Sequence, residues 1–272
     1  MRCVVAVAVA VAALLACGTA AAQSSPGYAA YQKADSLFVA KKFQECMNAV
    51  DEALHLDPKL VPALTLKAKL AMAIRRYDVA RESLERALAA DPSSSYAQFL
   101  YGLQFYQQNE LPAAIPALEK ARRLNPRDPR APLFLGLSQE SLGRTAEALQ
   151  SYRDAIRLGE ASGKLDADTL LVCSRLLLLL GDFEECGRLV QRALKLQPNS
   201  RDPHFEAARL LLKKGDAAKA AGEAEIALGY PGDVTDRQVH FLLVQAYQES
   251  GREQEAARHA AAIRALDDVG RK

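Results

Sequence analysis

The sequence predicts an all-α protein, a solenoid of about seven stacked helical hairpins, on three observations. Half of its 272 residues are hydrophobic, mostly Ala and Leu, with no Trp and few aromatics. Together with Arg, Glu, Gln and Lys, these are the strong helix formers. Prolines recur at a fixed interval: Pro58, Pro92 and Pro126 are spaced by 34 residues, and Pro198 follows 72 later, two periods plus four residues. Small side chains recur in the same register, which is how a repeat architecture announces itself.

The chain opens on a targeting segment, residues 1–22. Arg2 supplies a positive start, Val4 to Ala16 is an unbroken apolar run, and Gly18-Thr19-Ala20-Ala21-Ala22 gives the small residues a signal peptidase needs. Cleavage after Ala22 leaves Gln23 as the mature N-terminus, followed by a short polar leader, residues 23–26. Leu14-Leu15-Ala16-Cys17 is also similar to a bacterial lipobox, in which Cys17 becomes acylated; Leu15 stands where a smaller residue is more usual. Val4 to Ala22 barely reaches the ~20 residues of a spanning helix. The expectation is therefore an exported protein, periplasmic or attached to the cell envelope, with no integral span after processing.

The array follows over residues 27–266. Its repeats lie near 27–60, 61–94, 95–128, 129–162, 167–200, 201–234 and 237–266, with a polar tail at 267–272. Three small positions recur in each: Ala34/Cys46/Ala53, Ala68/Ala80/Ala87, Gly102/Ala114/Ala121, Gly136/Ala148/Ala155, Ser174/Cys186/Ala193, Ala208/Ala220/Ala227 and, more weakly, Val244/Ala256/Ile263. Between the first two comes a turn and usually a bulky residue, as in Lys41-Lys42-Phe43, Arg75-Arg76-Tyr77 and Gly181-Asp182-Phe183. Small side chains facing each other let two helices approach closely while the large ones beside them interlock. Asp-Pro, Asn-Pro or Gln-Pro closes the second helix, because the residue before proline is driven from helical geometry. The four extra residues after the fourth repeat are expected in the turn-like Gly159 to Asp166, and Pro116 is expected either to kink its helix or to mark a late start.

This pattern resembles the tetratricopeptide repeat family, whose signature is a 34-residue unit of small, aromatic and proline positions. The resemblance spans nearly the whole mature chain. The family's Trp is absent, its place taken by Ala30, Leu64, Gln98, Pro132, Leu170, His204 and His240. It implies a right-handed superhelix whose first helices line a concave groove, with the second, fifth, ninth and twelfth positions of each repeat facing inward. Those positions, with near neighbours, give the candidate partner-binding residues Tyr31, Tyr96, Phe99, Leu103, Tyr106, Leu137, Arg175, Leu178, Phe205 and Arg209. Leu133, Leu171 and Leu212 belong to the same surface or pack between first helices; Asp35, Lys69, Arg130, Glu140, Asp168, Asp202 and Gln245 add polar groups. An apolar stripe edged by charge suits a peptide or an amphipathic helix. The Lys and Asn of the family's chaperone-tail clamp are missing: Tyr31, Asp35, Thr65 and Lys69 stand there.

Five cysteines are present; Cys3 and Cys17 lie in the targeting segment. Cys46 and Cys186 occupy small-residue positions, where the default is a buried small hydrophobe. Cys173 and Cys186 fall on facing helices of one hairpin, the candidate pair for a disulfide in an oxidising compartment. His55, His204, His240 and His259 are scattered, with no second ligand at i, i+4, so neither a metal nor a cofactor is expected. No phosphate loop or nucleophile elbow appears, and a net charge of +2 shows no nucleic-acid signature. The resemblance implies a non-catalytic adaptor for a protein or peptide partner. The alternatives are a lipid-anchored structural component of an envelope assembly or secretion complex, and self-association through the array's ends.

Overall fold

A computed structural model describes residues 25–269. Residues 1–22, for which a targeting segment is expected, lie outside the described residues with Cys17, as does the end of the polar tail. Among the described residues there are fourteen helices and no strand. The described residues divide into two compact units, one ending at Pro126 and the other beginning at Arg127.

The first unit holds α1 (Pro26–Val39), α2 (Phe43–Leu56), α3 (Val61–Ala73), α4 (Tyr77–Ala90), α5 (Ser95–Gln107) and α6 (Leu111–Leu124). The second holds α7 (Arg130–Ser141), α8 (Thr145–Ser162), α9 (Ala167–Leu180), α10 (Phe183–Leu196), α11 (Arg201–Lys213), α12 (Ala217–Leu228), α13 (Asp236–Glu249) and α14 (Glu253–Val269). Consecutive helices pair as hairpins. Within a unit the first helices of neighbouring hairpins also touch, α1 with α3, α3 with α5, α9 with α11 and α11 with α13. Side-chain caps start several helices: Ser25 accepts from the Tyr28 N–H, Asp166 from Thr169 and Asp182 from Glu185, while Thr235 and Gln238 form a reciprocal capping box.

The small positions do what their spacing predicts. A Cβ added at Gly136 would stand 2.5 Å from the Tyr152 ring and 3.2 Å from the Ala148 carbonyl oxygen; one added at Gly102 would stand 2.6 Å from Leu118. In the first hairpin the Cys46 thiol donates to the Ala34 carbonyl at 3.1 Å. Each unit then buries its own core. Ala34, Val50, Ala53 and Leu64 centre the core under α1–α3. Tyr152, Leu170, Leu177 and Val190 centre one core of the second unit, and Ala220, Ala224, Val239 and Leu243 another.

Two local expectations change. The four extra residues do not form a loop: α8 runs eighteen residues to Ser162 and stops at Gly163, with φ at +66°. Four residues are close to one helical turn of 3.6, so the insertion lengthens the helix without rotating its buried face. The helix carrying Pro116 starts at Leu111, ruling out the late start, and continues past the proline to Leu124.

Candidate functional site

Each unit presents its own set of the candidate residues. In the first, Tyr28 and Tyr31 lie on α1 with ring centroids 5.6 Å apart, and Tyr96 and Phe99 stack on α5 at 6.5 Å. Tyr31, Tyr96, Leu103 and Tyr106 are half-buried, whereas Phe99 is only 5% exposed. Burial, then the neighbouring Asp35 carboxylate and the Tyr28 and Tyr96 phenols, pushes the Tyr31 hydroxyl above its usual range. The Lys69 ammonium sits 4.2 Å over the Phe38 ring. This unit therefore offers half-buried tyrosines, of which Tyr96 stacks on a sunken Phe99.

The second unit separates its candidates more sharply. Leu137 is half-buried against the core that contains Tyr152, and Leu178 is sealed at 6% exposure. Phe99 and Leu178 thus hold their units together, and the surface open to a partner is carried by their neighbours. Arg175, Phe205 and Arg209 do converge. With Asp168, Val172, Asp202, Glu206, Asp233, Val234 and Gln238 they line a cleft of about 520 Å³.

Glu206 organises that cleft. Its carboxylate is 3% exposed and takes Arg175 Nε on one oxygen and Arg209 Nη1 on the other, both at 2.8 Å. A buried carboxylate is costly unless matched in this way, so the two guanidinium groups are held in fixed places. Asp168 is the opposite case: burial, then the negative Asp166, Asp202 and Asp233, hold its carboxyl above the ordinary range, and Arg175 offsets only part of this.

Cys46, Cys173 and Cys186 are all buried free thiols, Cys173 and Cys186, the candidate pair for a disulfide, among them. Besides burial, Cys173 feels Glu185, Arg153, Cys186 and Glu140, and Cys186 feels Glu206, Arg209, Asp182 and Lys214. Burial pushes Cys173 up to about 12 and Cys186 to about 11, so both are packing residues.

Several residues were missed. Glu206 gives a weak signal in sequence, an acid three residues before Arg209; its second partner is 31 residues away. Phe241 is the fifth residue of the seventh repeat, legible from the register alone, and is 49% exposed beneath the Arg237 guanidinium at 4.8 Å. His240 and His259 come from different helices and meet at 2.9 Å between their Nδ1 atoms, with His259 Nε2 3.1 Å from Glu225. Burial and then His259 lower His240 from its ordinary value. Among the described residues no His, Cys, Asp and Glu group of metal-binding size occurs, and no helix is long and apolar enough to cross a membrane.

A tetratricopeptide repeat family model matches residues 65–121, 104–163 and 174–234, together more than half of the chain. Anaphase-promoting complex subunit 3 of Schizosaccharomyces pombe is 24% identical over 208 residues, 76% of this chain and 30% of that protein. The chain spans between 16% and 30% of the lengths of the curated relatives it matches. Among solved structures, MamA is 25% identical with a TM-score of 0.52, covering 61% of this chain and 94% of its own. Yeast Tom70 is 22% identical with a TM-score of 0.59, covering 77% of this chain and 44% of its own.

Proposed function

The chain belongs to the tetratricopeptide repeat family, a fold that supports protein–protein interaction scaffolds, and we propose that it is an exported, non-catalytic adaptor holding a partner's peptide segment. The observation that carries this is the convergence of Arg175, Phe205 and Arg209 on one cleft, with an aromatic wall and guanidinium groups fixed by Glu206. A partly buried aromatic beside pre-placed charge is the usual composition of a binding hot spot. The tyrosine face of the first unit is a second surface of the same kind. Similarity to a subunit of a multiprotein complex agrees with this role.

The test is site-specific photocrosslinking in the native cell, with a benzophenone amino acid at position 241. A discrete protein adduct, lost when Phe205 and Arg209 are replaced by Ala, is the expected result. Crosslinks only to bulk protein, unchanged by those replacements, would overturn the proposal. Export is checked separately by fractionating the envelope after osmotic shock.

A second reading, a lipid-anchored structural component, is favoured by Leu14-Leu15-Ala16-Cys17. It requires palmitate incorporation that disappears in Cys17→Ser.

A further inference from the structure

The cleft of the second unit carries more negative charge than its cations answer. Its wall holds four carboxylates, Asp168, Asp202, Glu206 and Asp233, against two guanidinium groups, Arg175 and Arg209. Glu206 takes both guanidinium groups. Asp202 uses both of its oxygens on backbone, accepting from the Asp233 N–H at 3.0 Å and the Val234 N–H at 2.9 Å. Asp168 and Asp233 have no ion pair with any cation of the described residues.

The cleft is also built rather than incidental. Asp233 and Val234 lie on the connection between α12 and α13, which Arg201 and Asp202 strap down. The Arg201 guanidinium donates to the carbonyls of Ala227, Tyr230 and Val234, and its backbone N–H donates to Pro231. Gly232 lets this loop close: a Cβ there would stand 2.7 Å from both Arg201 Cβ and an Asp202 oxygen. The strap fixes Asp233 and Val234 as one wall, with Phe205 and Val172 supplying apolar surface nearby. Burial first, and then the carboxylates of Asp166, Asp202 and Asp233, raise the carboxyl of Asp168.

We infer that this cleft recognises a single basic side chain, Lys or Arg, of the partner segment, its cationic head between Asp168 and Asp233 and its stem along Phe205, Val172 and Val234. The inference rests on the peptide-binding reading above and names the chemistry of its partner. Charge complementarity selects the occupant: an acidic side chain meets a net excess of carboxylate, and a long basic one carries its own apolar stem. Arg175 and Arg209, fixed on Glu206, repel a second adjacent cation, so an isolated basic residue is preferred over a run.

A random dodecapeptide phage library panned on the purified chain tests this. Binders are expected to share one Lys or Arg position flanked by apolar residues. A synthetic peptide of the selected sequence should bind the Asp168→Asn/Asp233→Asn double variant at least about tenfold more weakly. Asp168→Lys should shift the selected position to Asp or Glu. Neither Asp168 nor Asp233 straps the loop, so unchanged circular dichroism is expected; the single Asp168→Asn variant serves if the double does not fold. Binders without a basic position, or a preference unmoved by the substitutions, overturn this inference and leave the scaffold reading standing. No binders at all overturn both.

Discussion

The two units solve the same turn differently. Every hairpin has a residue in the left-handed region where its first helix ends. In the first unit these residues are Lys41, Arg75 and Asn109, with φ near +60°; in the second they are Gly143, Gly181, Gly215 and Gly251. A side chain in that conformation costs about 1–2 kcal/mol, which glycine does not incur. The first unit thus stores strain at all three of its turns, and the second at none. Because the hairpin needs the conformation whatever occupies it, this position is dictated by geometry, and the residue type sets only the cost.

The units also differ at their closest helix contacts, where the largest effect is expected. Gly136→Ala drives a Cβ into a ring that has no room to give, since Tyr152 is fully buried and its hydroxyl donates to Glu140. A loss of about 3 kcal/mol follows. Gly102→Ala meets the more compliant Leu118 side chain and should cost about half as much. Urea denaturation gives the totals, and hydrogen exchange assigns each loss to its unit; equal costs would end the contrast.

Smaller effects come from the turns themselves. Gly181→Ala should cost about 1 kcal/mol, while Lys41→Gly and Arg75→Gly should each gain about 0.5–1 kcal/mol. Asn109→Gly should gain least, because Asn tolerates the left-handed region. Thermal melts of the four single variants check the signs. A loss on Arg75→Gly would mean that the first unit is not strained there.

The smallest effect at neutral pH is the alkaline one. Thiols held up at about 12 and about 11 remain protonated in the fold after they ionise in the unfolded chain. Their contribution is complete below about pH 9 and is lost as pH rises towards the folded values. The second unit carries these two, whereas the described residues of the first hold Cys46 alone, also raised by burial. The second unit should therefore lose protection faster between pH 9 and 11, and Cys173→Ala/Cys186→Ala should remove that excess. Equal alkaline sensitivity in the double variant and the parent would contradict it.

What could be read from the chain differed by kind of residue. Gly102, Gly136 and Cys46 were legible because close packing of two helices restricts side-chain size at a fixed spacing. The same register pointed to Arg175, Phe205 and Arg209, which do meet. It also pointed to Phe99 and Leu178, which are buried, because an inward-facing position can end in a groove or between two helices with no change in spacing. Glu206, buried with one of its two partners 31 residues away, and the strapped loop carrying Asp233 left almost no local trace.

By itself the sequence determined the helical hairpin, its period, its turns and the membership of the array, since each depends on short-range sterics that repeat every 34 residues. Tertiary structure alone decided that four inserted residues become a helical turn and that Glu206 gathers two arginines beside an acidic cleft. Those outcomes turn on how a helix extends and on charges brought together from separate helices, which no spacing along the chain encodes.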